Sequence, residues 1–336
     1  MSKRLKVAVL SFAHGHAGGY LRYLASRGDI EVVAADPDST PTESGRGRQA
    51  ADALGVPYFE SYEQALAWGP DAVVVCSENS KHRELVELAA GAGAHVLCEK
   101  PLATTDADAR AMVDAAERAG VTLMVAFPVR FSPSFVALRK SVREGRLGDI
   151  LSVVGTNNGK LPLDRTWFTD PELAGGGSIV DHVVHCADLI DSLLDVKATS
   201  VFAVANGILH SEARTRVETG GLATIRYEGG IVATIDCSWS QPERAPNWGG
   251  LTLEVVGTRG SVRIAPFAAH VDGFGGDGAL WLPYGADADA AMIDEFLSAV
   301  IDGRRPQPDG GVGIRTTAIM TAALRSAASG KVEPIS

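Results

Sequence analysis

Hydrophobic positions in residues 1–126 come in short, nearly unbroken runs, separated by segments in which apolar residues recur every three or four places. The runs are Leu5–Leu10, Glu31–Ala35, Asp71–Cys76, His95–Cys98 and Thr122–Ala126. Short and valine-rich, they predict strands buried on both faces of a parallel sheet. The helical spacing falls on Tyr20–Ala25, Gly45–Leu54, Tyr62–Trp68, His82–Ala92 and Ala107–Ala119. Strand–helix alternation of this kind predicts βαβ units and a doubly wound sheet.

The pattern changes after about Arg130. A helix is predicted over Pro133–Glu144, a strand over Ile150–Thr156 and a helix over Gly177–Leu194. Alternating strands follow at Ser200–Ala205, Gly221–Tyr227, Ile231–Trp239, Leu251–Val256 and Ser261–Ile264. Ile231, Ala233, Ile235, Cys237 and Trp239 share one face of theirs, which predicts a half-covered, meandering antiparallel sheet. Gly229-Gly230 predicts a two-residue hairpin turn, because glycine reaches positive φ without steric cost. Residues 272–286 read as a glycine-rich loop, and helices over Asp287–Asp302 and Gly313–Ser329 finish the chain. The division predicted is a doubly wound α/β domain over 1–126 and a second α/β domain over 127–336.

Composition narrows the partners. The 336 residues carry a formal net charge of −10 and no Lys/Arg cluster, which argues against nucleic acid or anionic membrane. No apolar run reaches the roughly 18 residues of a spanning helix. The N-terminus lacks the apolar length and small-residue cleavage site of a signal peptide. Cys76, Cys98, Cys186 and Cys237 form no C-x-x-C, so buried free thiols and a cytoplasmic location are expected.

Four stretches carry candidate chemistry. The first strand runs into SFAHGHAGGY, where a dinucleotide loop would place G-x-G-x-x-G; its slots hold Ser11, Ala13 and His16. A helix N-terminus with free N–H groups still favours an anion, and His14 and His16 can add donors to phosphate. The plainer reading has His14 capping the helix and His16 packed under a loop. Asp36 ends the next strand, where a carboxylate accepts hydrogen bonds from a ribose diol and repels a 2′-phosphate, favouring NAD over NADP. Arg46 and Arg48 stand near enough in sequence to meet a phosphate instead. In HVLCEKPLATT a buried strand ends in Glu99-Lys100 followed by Pro101, at the end of a parallel strand that opens on a ligand crevice. Lys100 is thus a candidate donor to a substrate oxygen. In GGGSIVDHVVHCADLI, Asp181 and His185 lie four apart on one helix face, where the carboxylate orients a general-base imidazole. His182 is either a second polar group there or a satisfied packing residue. Asp181, His182 and His185 as metal ligands diverge on a helix, and no metal is expected.

Together these stretches resemble the Gfo/Idh/MocA oxidoreductase family, which includes glucose–fructose oxidoreductase and inositol dehydrogenases. The residues that carry the likeness are Asp36, CSENSKH (Cys76–His82), CEKPLATT (Cys98–Thr105), VRFSP (Val129–Pro133), LGDILSV (Leu147–Val153), GGGSIVDHVVH (Gly175–His185), GTRGS (Gly257–Ser261) and RSAASGKVEPI (Arg325–Ile335). The resemblance covers almost the whole chain. It implies an N-terminal Rossmann domain and a C-terminal α/β domain with a large, mostly antiparallel open sheet. It also implies NAD(P)-dependent oxidation or reduction of a sugar or polyol by a homodimer or homotetramer. Lys100, Asp181 and His185 match the family's catalytic set. The cofactor contacts it implies fall on Ser11, Phe12, Ala13, His14, His16, Asp36, Ser77, Asn79, His82, Glu99 and Lys100. The replaced loop glycines and His182, where the family more often has an aliphatic residue, are departures.

The reaction implied is CHOH to C=O. His185 takes the hydroxyl proton, held in its tautomer by Asp181, and Lys100 donates to the same oxygen. Arg130, Asn157, Lys160, Arg165 and Trp167 are candidates for sugar contacts beside Lys100, Asp181, His182 and His185, the indole offering an apolar face to C–H bonds. Two rival readings are a glycoside-cleaving enzyme that oxidises its substrate transiently and a non-catalytic nucleotide- and sugar-binding regulator. A pure binder has no need of a base.

Overall fold

A computed structural model describes residues 4–40, 43, 45–211, 215–276 and 278–336, which divide into two compact units. The first comprises Met1–Phe127 and Asp289–Ile314, the second Pro128–Ala288 and Arg315–Ser336. The expected second domain, 127–336, is therefore interrupted: Asp289–Ile314 returns to the first unit. The reason is apolar pairing, with Met292, Ile293, Phe296 and Leu297 buried on one helix and Val125 N–H bonded to the Pro308 carbonyl at 3.0 Å.

The first unit begins β1 (Leu5–Leu10), α1 (His16–Ser26), β2 (Ile30–Ala35), α2 (Gly47–Ala53), β3 (Tyr58–Phe59) and α3 (Tyr62–Ala67). It continues β4 (Ala72–Val75), α4 (His82–Gly91), β5 (His95–Glu99), α5 (Asp106–Ala119) and β6 (Leu123–Ala126). The six strands form one parallel sheet in the order β3-β2-β1-β4-β5-β6. This is the doubly wound Rossmann order, and it reverses between β1 and β4. Val7–Leu10, Ala72–Val75 and Val96–Cys98 are buried on both faces, as their continuous apolarity requires. Helix ends follow local chemistry. The Thr105 hydroxyl accepts from Asp108 N–H at 3.1 Å to start α5, and Gly120 closes it in the left-handed region.

The second unit opens with α6 (Pro133–Arg143), β7 (Ile150–Gly159) and the short α7 (Pro171–Ala174). A π turn over Ile179–Val183 leads into α8 (Val184–Leu193), so the single helix expected over Gly177–Leu194 is broken by one wide turn. Then come β8 (Ala198–Asn206), β9 (Gly220–Tyr227), β10 (Val232–Ser238), β11 (Gly249–Gly257), β12 (Gly260–Ile264), β13 (His270–Gly275) and β14 (Gly278–Pro283). Helix α9 (Ala288–Asp302) packs with the first unit, α10 (Gly310–Ser329) crosses the division, and β15 (Glu333–Pro334) joins the second sheet. That sheet runs β12-β11-β7-β10-β9-β8-β15 and is antiparallel except where β7 pairs with β10. Ala233, Ile235, Cys237 and Trp239 are fully buried on one face, as the alternation predicts.

Two expected loops differ. The β9–β10 turn has three residues, Glu228–Gly230, with Gly229 and Gly230 at φ 75° and 86°, because Tyr227 N–H bonds to the Ile231 carbonyl at 2.9 Å. The stretch expected as a glycine-rich loop holds most of the β13–β14 hairpin, where His270 stacks on Trp281 at 3.3 Å. The four cysteines are buried free thiols.

Candidate functional site

In the first unit the carboxyl ends of β1, β2, β4 and β5 carry the polar residues. Ser11 adopts φ 67°, the left-handed turn that the missing first glycine would have made. Its hydroxyl donates to Asp36 Oδ1 at 3.3 Å and accepts from Ala13 N–H at 3.2 Å, which offsets the strain. Phe12 and Ala13 are buried beneath it. Gly15, the N-cap residue of α1, has no side chain to cap with, and the first turn has no acidic residue. His14 takes the first N–H groups instead, its Nδ1 accepting from His16 N–H at 3.4 Å and its carbonyl from Ala17 N–H at 3.1 Å, and the terminus keeps a positive end that suits an anion.

Asp36 is placed differently from expectation. It is fully buried, receives two N–H bonds from Arg46 at 3.1 and 2.9 Å, and accepts from Gly47 N–H at 3.0 Å. The carboxylate does not stand open to a ribose; Arg46 covers it. A cavity of about 340 Å³ adjoins the pair, lined among others by Ser39, Thr40, Arg48 and Tyr58. Its charged lining, Asp36, Glu43 and Glu60 against Arg46 and Arg48, leaves one acid in excess.

Glu99 ends β5 with its side chain wholly buried. Its Oε1 lies 2.9 Å from His16 Nδ1 and 3.5 Å from His14 Nδ1, and its Oε2 accepts from Lys100 N–H at 3.1 Å. Burial alone would raise this carboxyl; the imidazoles of His14 and His16 and the Lys100 ammonium outweigh it and hold Glu99 far below the usual range. Burial pulls His16 down, yet Glu99 raises it above 6.5 on balance. Lys100 is itself buried and forms a cis peptide with Pro101. Asn79 is buried after β4.

Two expected cofactor contacts turn inward. His82 is fully buried, its Nδ1 3.0 Å from the Pro101 carbonyl and its Nε2 3.3 Å from the Ser77 carbonyl. It ties the loop after β4 to the loop after β5 and presents no surface to a ligand. Ser77 is likewise sealed, its hydroxyl on the Glu78 carbonyl at 3.2 Å.

In the second unit the π turn holds Asp181 and His182. Asp181 Oδ2 accepts from Trp239 Nε1 at 3.0 Å and lies 3.1 Å from His182 Nε2. Single π turns recur at functional sites. Glu218 anchors the turn by accepting from Gly177 N–H at 2.8 Å and Ile179 N–H at 3.0 Å. His185 is half-buried at the start of α8. Asn157, on the buried face of β7, donates to the His182 carbonyl at 3.3 Å. A Cβ on Gly159 would come within 3.1 Å of both His182 Nε2 and Trp248 Nε1, so the glycine lets an exposed indole approach the imidazole.

The remaining substrate candidates are otherwise engaged. Arg130 is buried with Asp188, its Nε donating to Oδ2 at 3.1 Å and its Nη2 to the Asp188 carbonyl at 3.1 Å. It fastens α8 and is not a sugar contact. Burial pushes Asp188 up to about 6 against that pull. Lys160 Nζ donates to the Ala245 carbonyl at 2.6 Å, Arg165 pairs with Asp164 at 3.4 Å, and Trp167 is buried against Phe168 at 4.0 Å between ring centres. The exposed indole beside His182 is Trp248. Its only sequence signal was an aromatic in a Pro/Asn/Gly-rich segment.

Comparison with known proteins identifies the family. A family model described as an oxidoreductase family with an NAD-binding Rossmann fold covers residues 25–127, and one described as the GFO/IDH/MocA C-terminal domain covers 135–263. The first match begins beyond the altered β1–α1 turn and owes nothing to it. The chain is 30% identical over 303 residues to 1,5-anhydro-D-fructose reductase of Ensifer adhaerens, spanning 88% of this chain and 89% of that one. It is 30% identical over 296 residues to D-xylose 1-dehydrogenase (NADP(+)) 2 of Haloferax volcanii, spanning 86% and 88%. The crystal structure of GenD2 from gentamicin A biosynthesis in complex with NAD superposes with a TM-score of 0.88 at 25% identity, over 100% of this chain and 97% of that one. The chain is a member of the GFO/IDH/MocA family of NAD(P)-dependent oxidoreductases.

Proposed function

We propose that this chain is an NAD-preferring dehydrogenase of a sugar or polyol hydroxyl, with Lys100 and His185 handling the hydroxyl proton and Asp181 orienting the imidazole. The observation that carries it is the buried Lys100 at the carboxyl end of a central parallel strand. This strand end is where doubly wound sheets hold ligands.

The first unit fits a dinucleotide through the left-handed Ser11 turn, the α1 terminus free of acidic residues and the polar cavity beside β2. The α1 terminus with His14 and His16 would hold the diphosphate, and Ser39, Thr40 and Arg46 the adenosine ribose. One excess acid around that cavity supports an uncharged 2′-hydroxyl over a 2′-phosphate, hence NAD. When bound, the nicotinamide supplies the hydride acceptor. The protein's own part is to draw the proton from a weakly acidic hydroxyl: His185 as base, Lys100 as donor to the oxygen whose negative charge grows. Trp239 fixes the Asp181 carboxylate, and Trp248 offers its ring to sugar C–H bonds. Val154, Phe202, Val204 and Leu222 are exposed on the outer sheet face, which supports assembly into a homodimer or homotetramer.

The test is tryptophan-fluorescence titration with NAD(H) and NADP(H), then a screen of sugars and polyols for reduced cofactor, repeated with Lys100→Met and His185→Ala. Turnover should fall about 10²–10⁴-fold in His185→Ala with cofactor binding retained. Failure of both cofactors to bind below about 1 mM would overturn the reading.

A further inference from the structure

Three metal-ligating side chains converge where β1 hands over to α1. One ligand atom each from His14, His16 and Glu99 lies within 4.8 Å of the other two. The two imidazoles present the same nitrogen, Nδ1, to a single carboxylate oxygen, at 3.5 and 2.9 Å. The His16 amide N–H donates to His14 Nδ1 at 3.4 Å, which marks that nitrogen as the unprotonated one; a metal ion bound there takes the lone pair from this long contact.

We infer that His14, His16 and Glu99 form a binding site for a divalent transition-metal ion of the zinc class. Bonds of about 2.1 Å place neighbouring ligand atoms about 3.0 Å apart in an octahedron and about 3.4 Å apart in a tetrahedron, the spacings found at Glu99 Oε1. Two imidazole nitrogens and one carboxylate suit zinc, cobalt or nickel, whereas magnesium and calcium take all-oxygen sets. The outer partner of the carboxylate is in place: Lys100 N–H holds Glu99 Oε2 at 3.1 Å and so aims Oε1 at the imidazoles. Glu99 and His14 are buried while His16 is half-open, so ions enter past His16. Three protein ligands leave at least one position for water or an anionic oxygen. This site does not rest on the dehydrogenase reading.

The experiment uses the full chain, stripped with chelator and free of nucleotide. Cobalt is titrated while visible d–d absorption is followed, and zinc binding is measured by calorimetry. One ion per chain should bind with a dissociation constant of about 1 µM or tighter. His14→Gln and His16→Gln should each weaken it at least about 100-fold, the upper end of what losing an outer partner costs. Circular dichroism checks that each variant is folded, and His16→Gln, half-open, keeps the test available if the buried site tolerates nothing else. Absence of cobalt bands at millimolar ion, or bands unchanged in the double variant, overturns the inference. Either result leaves the nucleotide titrations above to be judged on their own.

Discussion

Arg46 closes on the Asp36 carboxylate with two N–H donors, Nε to Oδ2 at 3.1 Å and Nη2 to Oδ1 at 2.9 Å. The acid expected to receive a ribose is thus neutralised by a guanidinium from the following loop. Asp36→Asn removes the charge that holds Arg46, and a freed guanidinium is a strong phosphate ligand. The ratio of kcat/KM for NAD over NADP should fall at least about tenfold, a change of about 1.4 kcal/mol in discrimination. Steady-state kinetics with both cofactors check it.

The Arg130–Asp188 pair should behave as a buried ion pair. Arg130→Met strands a carboxylate in the core and should cost about 3–5 kcal/mol in urea unfolding. Adding Asp188→Leu removes the stranded charge and should recover most of that loss. A double variant no more stable than the single one would remove the pair from its assigned role.

Glu218 caps the turn that carries Asp181. Glu218→Ala leaves the Gly177 and Ile179 N–H groups without their acceptor, at about 1–3 kcal/mol. Because the turn positions Asp181 and His182, kcat should drop while the dissociation constant for NAD stays put. Glu218→Gln keeps an acceptor oxygen and should restore part of both.

His82 gives the first unit a pH dependence. Burial disfavours its charged form, so its folded pKa lies below the ordinary 6.5. A base depressed on folding stabilises the fold above its unfolded value, and that contribution is lost as pH falls. Stability should decline below pH 6.5 with a limiting slope of about 1.4 kcal/mol per pH unit, levelling once the folded imidazole protonates. Thermal unfolding of wild type and His82→Asn across this range isolates the share of this ring.

Strands β1, β4 and β5 were legible because burial on both faces leaves no polar interruption, and Thr105 and Gly120 marked the ends of α5 by known cap chemistry. The β13–β14 hairpin was hidden because Gly273, Gly275 and Gly278 blank out the alternation that reveals a strand. The π turn has no proline or glycine within Ile179–Val183 to announce it. Of the site, Lys100 showed as a charge at an apolar strand end. The roles of Asp36, His82 and Arg130 did not, because each depends on a partner, Arg46, Pro101 or Asp188, that only folding brings near. A side chain's chemistry is written locally; whether it is already spent is not.

The return of Asp289–Ile314 to the first unit has a consequence for synthesis. When a ribosome has released residues 1–127, every strand of the parallel sheet exists, yet Val113 and Leu123 still lack the close packing that Gly310 brings, and Tyr23 lacks its bond to Asp294. The nascent unit must wait while 161 further residues are made before the segment that completes it emerges. A fragment cut at Phe127 would expose that unfinished apolar seam and aggregate.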